Sequence, residues 1–245
     1  MRIPRIYQEN NLLTAKSPFP LSPDAFQHLI KVLRCKIGHQ IELFDGLGNQ
    51  QSAQICTLEK KSAAVELIGS PQSNAASALP IHLGQVLSKG ERMDYALQKS
   101  VELGVSEITP LFSERCDVKL PSDRVEKKLQ HWRKVVISAC EQCRQNWLPT
   151  VNAPMNIEDW IKQSDAEIKL AMHTATQESK SLLDQSLSPK SVAVLVGPEG
   201  GLSSTEIEQA EASGFSALQL GPRVFRTETA PVVALSLLQM VWGDF

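Results

Sequence analysis

The sequence predicts an α/β protein: a parallel sheet covered by helices on both faces, preceded by a small domain of mostly antiparallel strands. Three observations carry this reading. From about residue 80 onward, strand-length apolar runs alternate with amphipathic helical stretches, the pattern of repeated strand–helix–strand units. Before residue 70, short apolar runs follow one another across turn signals, with a single helical stretch among them. Between the two regions, residues 70–79 read SPQSNAASAL, uncharged and rich in Ser and Ala, which is linker composition. The boundary is therefore placed at 72/73, giving domains 1–72 and 73–245.

In the first domain, apolar runs at 2–7, 40–44, 54–58 and 63–68 read as strands, separated by Asp45-Gly46 and Gly48-Asn49. Residues 22–33 are the exception, because Phe26, Leu29, Ile30 and Leu33 recur at helical spacing behind a Ser-Pro-Asp start. In the second, 81–87 reads as a strand and 91–103 as a helix with Met93, Leu97 and Val101 on one face, stopped by Gly104. A strand at 105–112 precedes a long helix from 122 to about 145, where Val125, Leu129, Trp132 and Val136 recur every three or four residues. A helix is expected from 156 to 161, with buried strands at 168–172 and 192–196. Ser203-Ser204-Thr205-Glu206 is a capping box opening a helix that ends at Gly214. A last strand at 217–220 leads to an apolar helix over 230–242, with Pro231 in its first turn, where proline is tolerated.

Composition excludes several classes. The chain has 245 residues, 25 Lys and Arg against 27 Asp and Glu, and 42% hydrophobic residues, which is neither disordered nor fibrous composition. Only 13 residues are Phe, Trp or Tyr, too few to tile a surface with base-stacking rings. The residues 230–242 fall short of the roughly 20 that a membrane span needs. The start, MRIPRIYQEN, has charge and proline where a signal peptide carries its apolar stretch, so a cytoplasmic protein with no membrane association is expected. Five cysteines then read as free thiols; Cys140 and Cys143 form a C-x-x-C, but inside a helical pattern and with no second pair for a zinc site, so structural thiols and no metal are expected, zinc or redox chemistry being the alternative. The near-neutral total hides an asymmetry: residues 1–72 and 73–144 each balance to +2, residues 145–245 to -6.

Two loops stand out, each directly after an expected strand: Gly197-Pro198-Glu199-Gly200-Gly201 and the run LGPRVFRTETA from Leu220 to Ala230. In open parallel sheets ligands bind at the carboxyl ends of the strands. Glycines let the backbone approach a ligand closely, although a tight strand-to-helix turn would need them as well. Neither loop has the G-x-G-x-x-G of dinucleotide sites or the G-K-[ST] of a P-loop, so ATP and NAD are poor fits. Arg226 and Glu228 flank Thr227 and Thr229 at the mouth of a helix so apolar that it must be packed.

The two loops, with the RIPR start, HLIKVLRCKIGHQIELFDG (28–46), KGERMDYALQKSVELGVSEITPLFSERC (89–116) and ACEQCRQ (139–145), resemble the RsmE family of 16S rRNA uridine-N3 methyltransferases, in the SPOUT or trefoil-knot superfamily, over essentially the whole chain. Two departures are visible. Val224-Phe225 precedes Arg226 where the family has Ile-Leu or Val-Leu, and Arg144 follows Cys143 directly where Gly-Arg is usual.

The resemblance implies a PUA-like barrel domain for RNA binding, a knotted methyltransferase domain, S-adenosylmethionine as cofactor, 16S rRNA within the small ribosomal subunit as substrate, and a homodimer built on the apolar terminal helix. A catalytically silent assembly factor of the same fold is the alternative, and a knotted enzyme acting on tRNA shares the loops but not the other blocks. The implied cofactor contacts are Gly197, Glu199, Gly200, Leu220, Gly221, Val224, Phe225 and Thr227, mostly through backbone, with Met172 and His173 on the adenine side. A surface or cap role is the alternative for His173. Arg226 is expected to hold the charge that builds on the uracil oxygens, a rigid and permanently charged donor; a salt bridge to Glu228 or Glu199 is its alternative. Glu228 is the candidate base, against water or hydroxide. Arg2, Arg5, Lys31 and Arg34, the last two on one helical face, are expected to meet RNA phosphates unless they are merely solvated. Glu141 and Arg144, three apart on a helix, would orient the target base or form an ion pair.

Overall fold

The computed structural model describes residues 3–173 and 188–245. The chain divides into two compact units, residues 1–76 with 140–148, and residues 77–139 with 149–245.

The first unit is a five-stranded sheet: β1 (Arg5–Tyr7), β2 (Phe19–Pro20), β3 (Gln40–Phe44), β4 (Asn49–Leu58) and β5 (Ala63–Ser73), in the order β1-β3-β4-β5-β2. Only β1 and β3 run parallel. Alternation along β3 to β5 turns Ile41, Leu43, Ile55 and Val65 inward, onto Ile6 and Leu29, as a strand buried on one face requires. The strand β5 runs four residues into the expected linker, because Gln72 and Ser73 stay in register with Gln50 and Asn49.

The expected helix over 22–33 is irregular. Ser22 caps it, accepting from the Ala25 N–H, and α1 (Pro23–Phe26) then widens into a π-helical stretch, Gln27–Val32. The chain leaves it through Arg34, at φ 56°, a left-handed conformation uncommon outside glycine. Lys31 and Arg34 therefore do not share a helical face.

Residues 140–148 lie with this unit rather than with the second domain. Arg144, at φ 69°, turns the chain out of the long helix, and Leu47 and Trp147 form an antiparallel bridge. The Leu148 N–H donates to Gly46 O at 3.0 Å and the Gly48 N–H to Asn146 O at 3.1 Å. A Cβ at Gly48, which sits at φ 93°, would come within 2.7 Å of the Trp147 ring, so the Asp45–Asn49 turn requires glycine there.

The second unit holds β6 (Ile81–Val86), β7 (Glu107–Phe112), β8 (Thr150–Val151), β9 (Met155–Asn156), β10 (Ile168–Met172), β11 (Val192–Val196) and β12 (Ser216–Ala217). All pair in parallel in the order β12-β10-β11-β6-β7-β8, with β9 also beside β7. Every residue of the central β11 is buried, the continuous apolar run of a strand covered on both faces. Its Ala193 and Leu195 pack with Trp160 and Phe215. The helices are α2 (Glu91–Glu102), α3 (Ser122–Cys143), α4 (Ile157–Gln163), α5 (Ser204–Ala212) and α6 (Ala230–Trp242). The capping box of α5 forms as expected, and the Glu206 carboxylate also accepts the Glu114 N–H at 2.9 Å, joining the segments after β7 and β11. The helix α6 buries one stripe, Ala230, Ala234, Leu235 and Leu238, while Val232, Val233 and Leu237 are half-buried and Met240 is 70% exposed. It is not buried all round in a single chain.

His82 on β6 shows how this sheet responds to acid. The Trp160 indole N–H donates to its Nε2 at 3.1 Å, which assigns the neutral tautomer with the proton on Nδ1. Burial pushes the imidazole below its usual range, against the opposing pull of Glu107 and Asp165. The unfolded chain therefore takes up a proton before the folded one does, and this site loses stability as pH falls through about 6.5. Urea unfolding at pH 7.5 and 5.5 should show a larger acid-side loss for the native chain than for His82→Asn; an equal loss in both would remove His82 as the cause.

Candidate active site

The carboxyl ends of β10 and β11 open into a cleft of about 630 Å³, wholly within the second unit. Two loops wall it. One follows β11 and contains Gly197, Glu199, Gly200 and Gly201; the other leads into α6 and contains Val224, Phe225, Arg226, Thr227 and Glu228. Met172 and His173, at the end of β10, complete the wall. The expectation that both signature loops meet at this sheet edge corresponds to what is seen. Leu220 and Gly221 do not line the cleft, because the chain there is still leaving the sheet edge, where the Leu218 N–H donates to Ala171 O at 2.8 Å.

Thr227 ties the loops together. It is 4% exposed; its hydroxyl donates to Gly197 O at 2.8 Å and accepts from Gln85 Nε2 at 3.2 Å. Gln85, on β6, is fully buried. These two bonds tie the second loop to the ends of two central strands, while Gln85 Oε1 is buried with no hydrogen-bond partner among the described residues. The Arg226 carbonyl accepts the Thr229 and Ala230 N–H groups at 2.9 and 3.0 Å, so its backbone is held by the start of α6 while its side chain is exposed.

The charges are arranged otherwise than the alternative for Arg226 supposed. Glu199 pairs with Arg92 at 2.9 Å, and among the described residues Arg226 has no ion pair. Glu228 is half-buried, and its Oε2 is fully buried with no hydrogen-bond partner among the described residues. An orphaned carboxylate oxygen in a cleft calls for an explanation, and a cationic or N–H-bearing ligand supplies one.

Two lining arginines were not assigned a role from sequence. Arg92 reaches Glu199, and Arg115 donates to the carbonyls of Gly200 and Leu202, each at 3.3 Å. Both lie in the KGERMDYALQKS…SERC block, whose position behind strands β6 and β7 was the available signal.

The expected RNA contacts fare differently. Arg2 lies outside the described residues. Arg5 is 8% exposed; its guanidinium donates to Glu42 at 2.7 Å, to Gln50 and Gln145 O at 3.1 Å each and to the Asn146 side chain, and lies 4.3 Å from the centre of the Phe44 ring. It is an interior tie and not a phosphate contact. Lys31 and Arg34 are exposed. Glu141 and Arg144 form neither a shared face nor an ion pair: Glu141 accepts the Tyr7 N–H at 3.1 Å, and burial pushes its carboxyl up, whereas Arg144 turns away to Glu42 at 3.0 Å. The helix ends between them, which reverses the direction of Arg144.

All five cysteines are free thiols, and among the described residues no group of three His, Cys, Asp or Glu could hold a metal. No helix of the described residues is long and apolar enough to cross a membrane.

A parallel sheet with two loops walling a cleft at its carboxyl edge is the arrangement in which α/β proteins bind small ligands, and comparison with known proteins narrows it. Residues 75–239 match a profile described as an RNA methyltransferase domain, and residues 21–68 one described as an RNA methyltransferase PUA domain. The ribosomal RNA small subunit methyltransferase E of Buchnera aphidicola from Acyrthosiphon pisum is 37% identical over 100% of this chain and 96% of its own. The same-named protein of Neisseria gonorrhoeae, crystallised with S-adenosyl methionine, superposes with a TM-score of 0.88 at 38% identity over 100% of both chains. A methyltransferase of Legionella pneumophila, crystallised with the same cofactor, superposes with a TM-score of 0.94 at 42% identity, again over 100% of both chains. The chain belongs to the ribosomal RNA small subunit methyltransferase E family.

Proposed function

We propose that this protein transfers a methyl group from S-adenosylmethionine to N3 of a uridine in 16S rRNA, within the small ribosomal subunit, in the cytoplasm. The observation that carries the reading is the cleft itself, with one loop that holds, among the described residues, an arginine free of ion pairs and an orphaned carboxylate oxygen. Its volume of about 630 Å³ lies in the range of small-molecule sites, its wall carries Glu199 and Glu228, the latter with an unpartnered oxygen, for a cationic cofactor, and its glycine loop lacks the sequence of a phosphate-binding loop. The residues present therefore fit S-adenosylmethionine, which when bound supplies a methyl group on positively charged sulfur, open to in-line attack.

The backbones of Gly197, Gly200, Val224, Phe225 and Thr227 would hold the cofactor, with Met172 and His173 on its adenine side. Positioning of this kind removes most of the entropic part of the barrier. Arg226 would donate to the uracil oxygens as N3 loses its proton and negative charge builds on O2 and O4. Glu228 would accept the N3 proton or a cofactor N–H through its unpartnered oxygen.

The first unit, with exposed Lys31 and Arg34, would grip RNA by charge and shape, and the uridine would leave its stack to enter the cleft. The half-exposed apolar residues of α6 support a homodimer, since a patch of this kind is costly in a monomer; sedimentation equilibrium reads that directly. The activity is tested by incubating undermodified small subunits with labelled S-adenosylmethionine and digesting the RNA to nucleosides. One N3-methyluridine per subunit is expected. Label appearing only on a ribose 2′-hydroxyl would rule the base-methylation reading out.

A further inference from the structure

A second cavity, of about 290 Å³, lies in the same unit at the amino end of α2. The turn from β6 contributes Ser88, Lys89 and Gly90, the segment after β7 contributes Lys119, and α3 contributes Lys128 and Trp132. Ser88 is 5% exposed and Trp132 3%. The Ser88 hydroxyl and the Trp132 indole N–H are both buried with no hydrogen-bond partner among the described residues.

Buried donors are rarely left unpaired, and these two belong to residues of a cavity wall that also carries three lysines and the apolar Leu87, Met93, Val118 and Leu120. A hydroxyl, an indole N–H and ammonium groups share one complement, an oxyanion. Of the three lysines, Lys89 pairs with Asp117 at 2.9 Å, and both side chains are well exposed, so the pair is worth little and exchanges readily. The field around the cavity has the same sign: residues 115–134 contain seven Lys and Arg against three Asp and Glu, and Arg124, Lys127 and Lys128 are exposed on α3.

The cavity shares no lining residue with the candidate active site, but two of its lysines lie close in sequence to arginines of that cleft. Lys89 stands three residues before Arg92, which pairs with the cleft residue Glu199; Lys119 stands four after Arg115, which binds the carbonyls of Gly200 and Leu202. Four residues span at most about 14 Å, the scale of a nucleotide and its neighbour. We infer that this cavity takes a backbone phosphodiester of the substrate RNA next to the methylated nucleotide, an inference that rests on the methyltransferase reading above. The nucleic-acid footprint of the chain then includes the catalytic unit, through Ser88, Lys119, Lys128 and Trp132, and is not confined to the first unit.

The test is fluorescence anisotropy with a labelled small-subunit rRNA transcript over a range of salt, on the full-length protein. Lys119→Ala/Lys128→Ala should weaken binding about tenfold or more and flatten the plot of log affinity against log salt by about 0.7 for each phosphate no longer neutralised. Ser88→Ala should weaken binding with no change of slope, since its hydroxyl is neutral, and should leave thermal stability equal or higher, since an unpaired buried group is removed. The control Lys162→Ala/Lys190→Ala removes the same charge from exposed positions elsewhere in the unit.

Native affinity and slope in the first double variant would overturn the inference, as would an equal loss in the control, which would mean bulk charge alone. Inorganic phosphate is titrated alongside; if it stabilises the native protein but not the first double variant, while RNA binding is unchanged in both, the cavity is a free-anion site and the inference fails. Methyl transfer by the native protein to small subunits is measured in parallel. Its absence counts against the activity, whereas native-like RNA binding by the variants with transfer intact counts against the cavity alone.

Discussion

Arg226→Ala is expected to lower the rate of methyl transfer at saturating substrate by roughly a hundredfold or more, the magnitude seen when a donor to a developing negative charge is removed, while cofactor affinity changes little. The side chain is exposed at the cleft and has no ion pair among the described residues. Its backbone is held separately, by the first turn of α6. Removing the guanidinium therefore leaves the loop in place and takes away a donor whose benefit appears in the transition state. Arg226→Lys keeps the charge but loses the planar fork and should fall between the two. Single-turnover rates and calorimetric titration of S-adenosylmethionine separate the effects. Loss of cofactor binding with turnover spared at saturation would make Arg226 a binding residue instead.

Arg5→Ala is expected to destabilise the folded protein by about 3 kcal/mol, the lower end of the cost of removing one partner of a buried charged pair. Its guanidinium joins three parts of the first unit: Glu42 on β3, Gln50 on β4, and the returning segment through Gln145 and Asn146. Glu42 keeps Arg144 as a partner, but that arginine is largely exposed, so the compensation is small. Arg5→Lys should recover only part of the loss, because one ammonium cannot reach all these acceptors. Urea unfolding measures the change, and RNA affinity corrected for the folded fraction should match the native protein. A fully stable Arg5→Ala variant with reduced RNA affinity would return this residue to the RNA surface.

Arg5 and Arg226 show where sequence was legible and where it was not. The loop around Arg226 could be placed because its glycines and hydroxyls follow a strand and precede an apolar helix, a local pattern with a geometric consequence at the edge of a parallel sheet. The strands at 168–172 and 192–196, the capping box at Ser203 and the helix Ala230–Trp242 were legible for the same reason. The two-residue strands β8 and β9 were not, because two residues carry no period. Arg5 has no such local signature: an arginine near a chain start reads as surface charge, and only the return of residues 140–148 places acceptors around it.

Sequence by itself determined the α/β class, the order of the main elements and the place of the two loops, since propensity, periodicity and motif spacing are properties of neighbouring residues, whereas the family rested on the resemblance of whole sequence blocks. Tertiary structure alone decided which charges remain available. It buried Arg5, turned Arg34 and Arg144 through left-handed backbone, paired Glu199 with Arg92, and left the Glu228 oxygen and the Ser88 and Trp132 donors without partners among the described residues. The physical reason is that a side chain's hydrogen bonds and desolvation depend on groups distant in the chain; Arg5 meets Asn146 across 141 positions, a separation over which sequence pattern carries no signal.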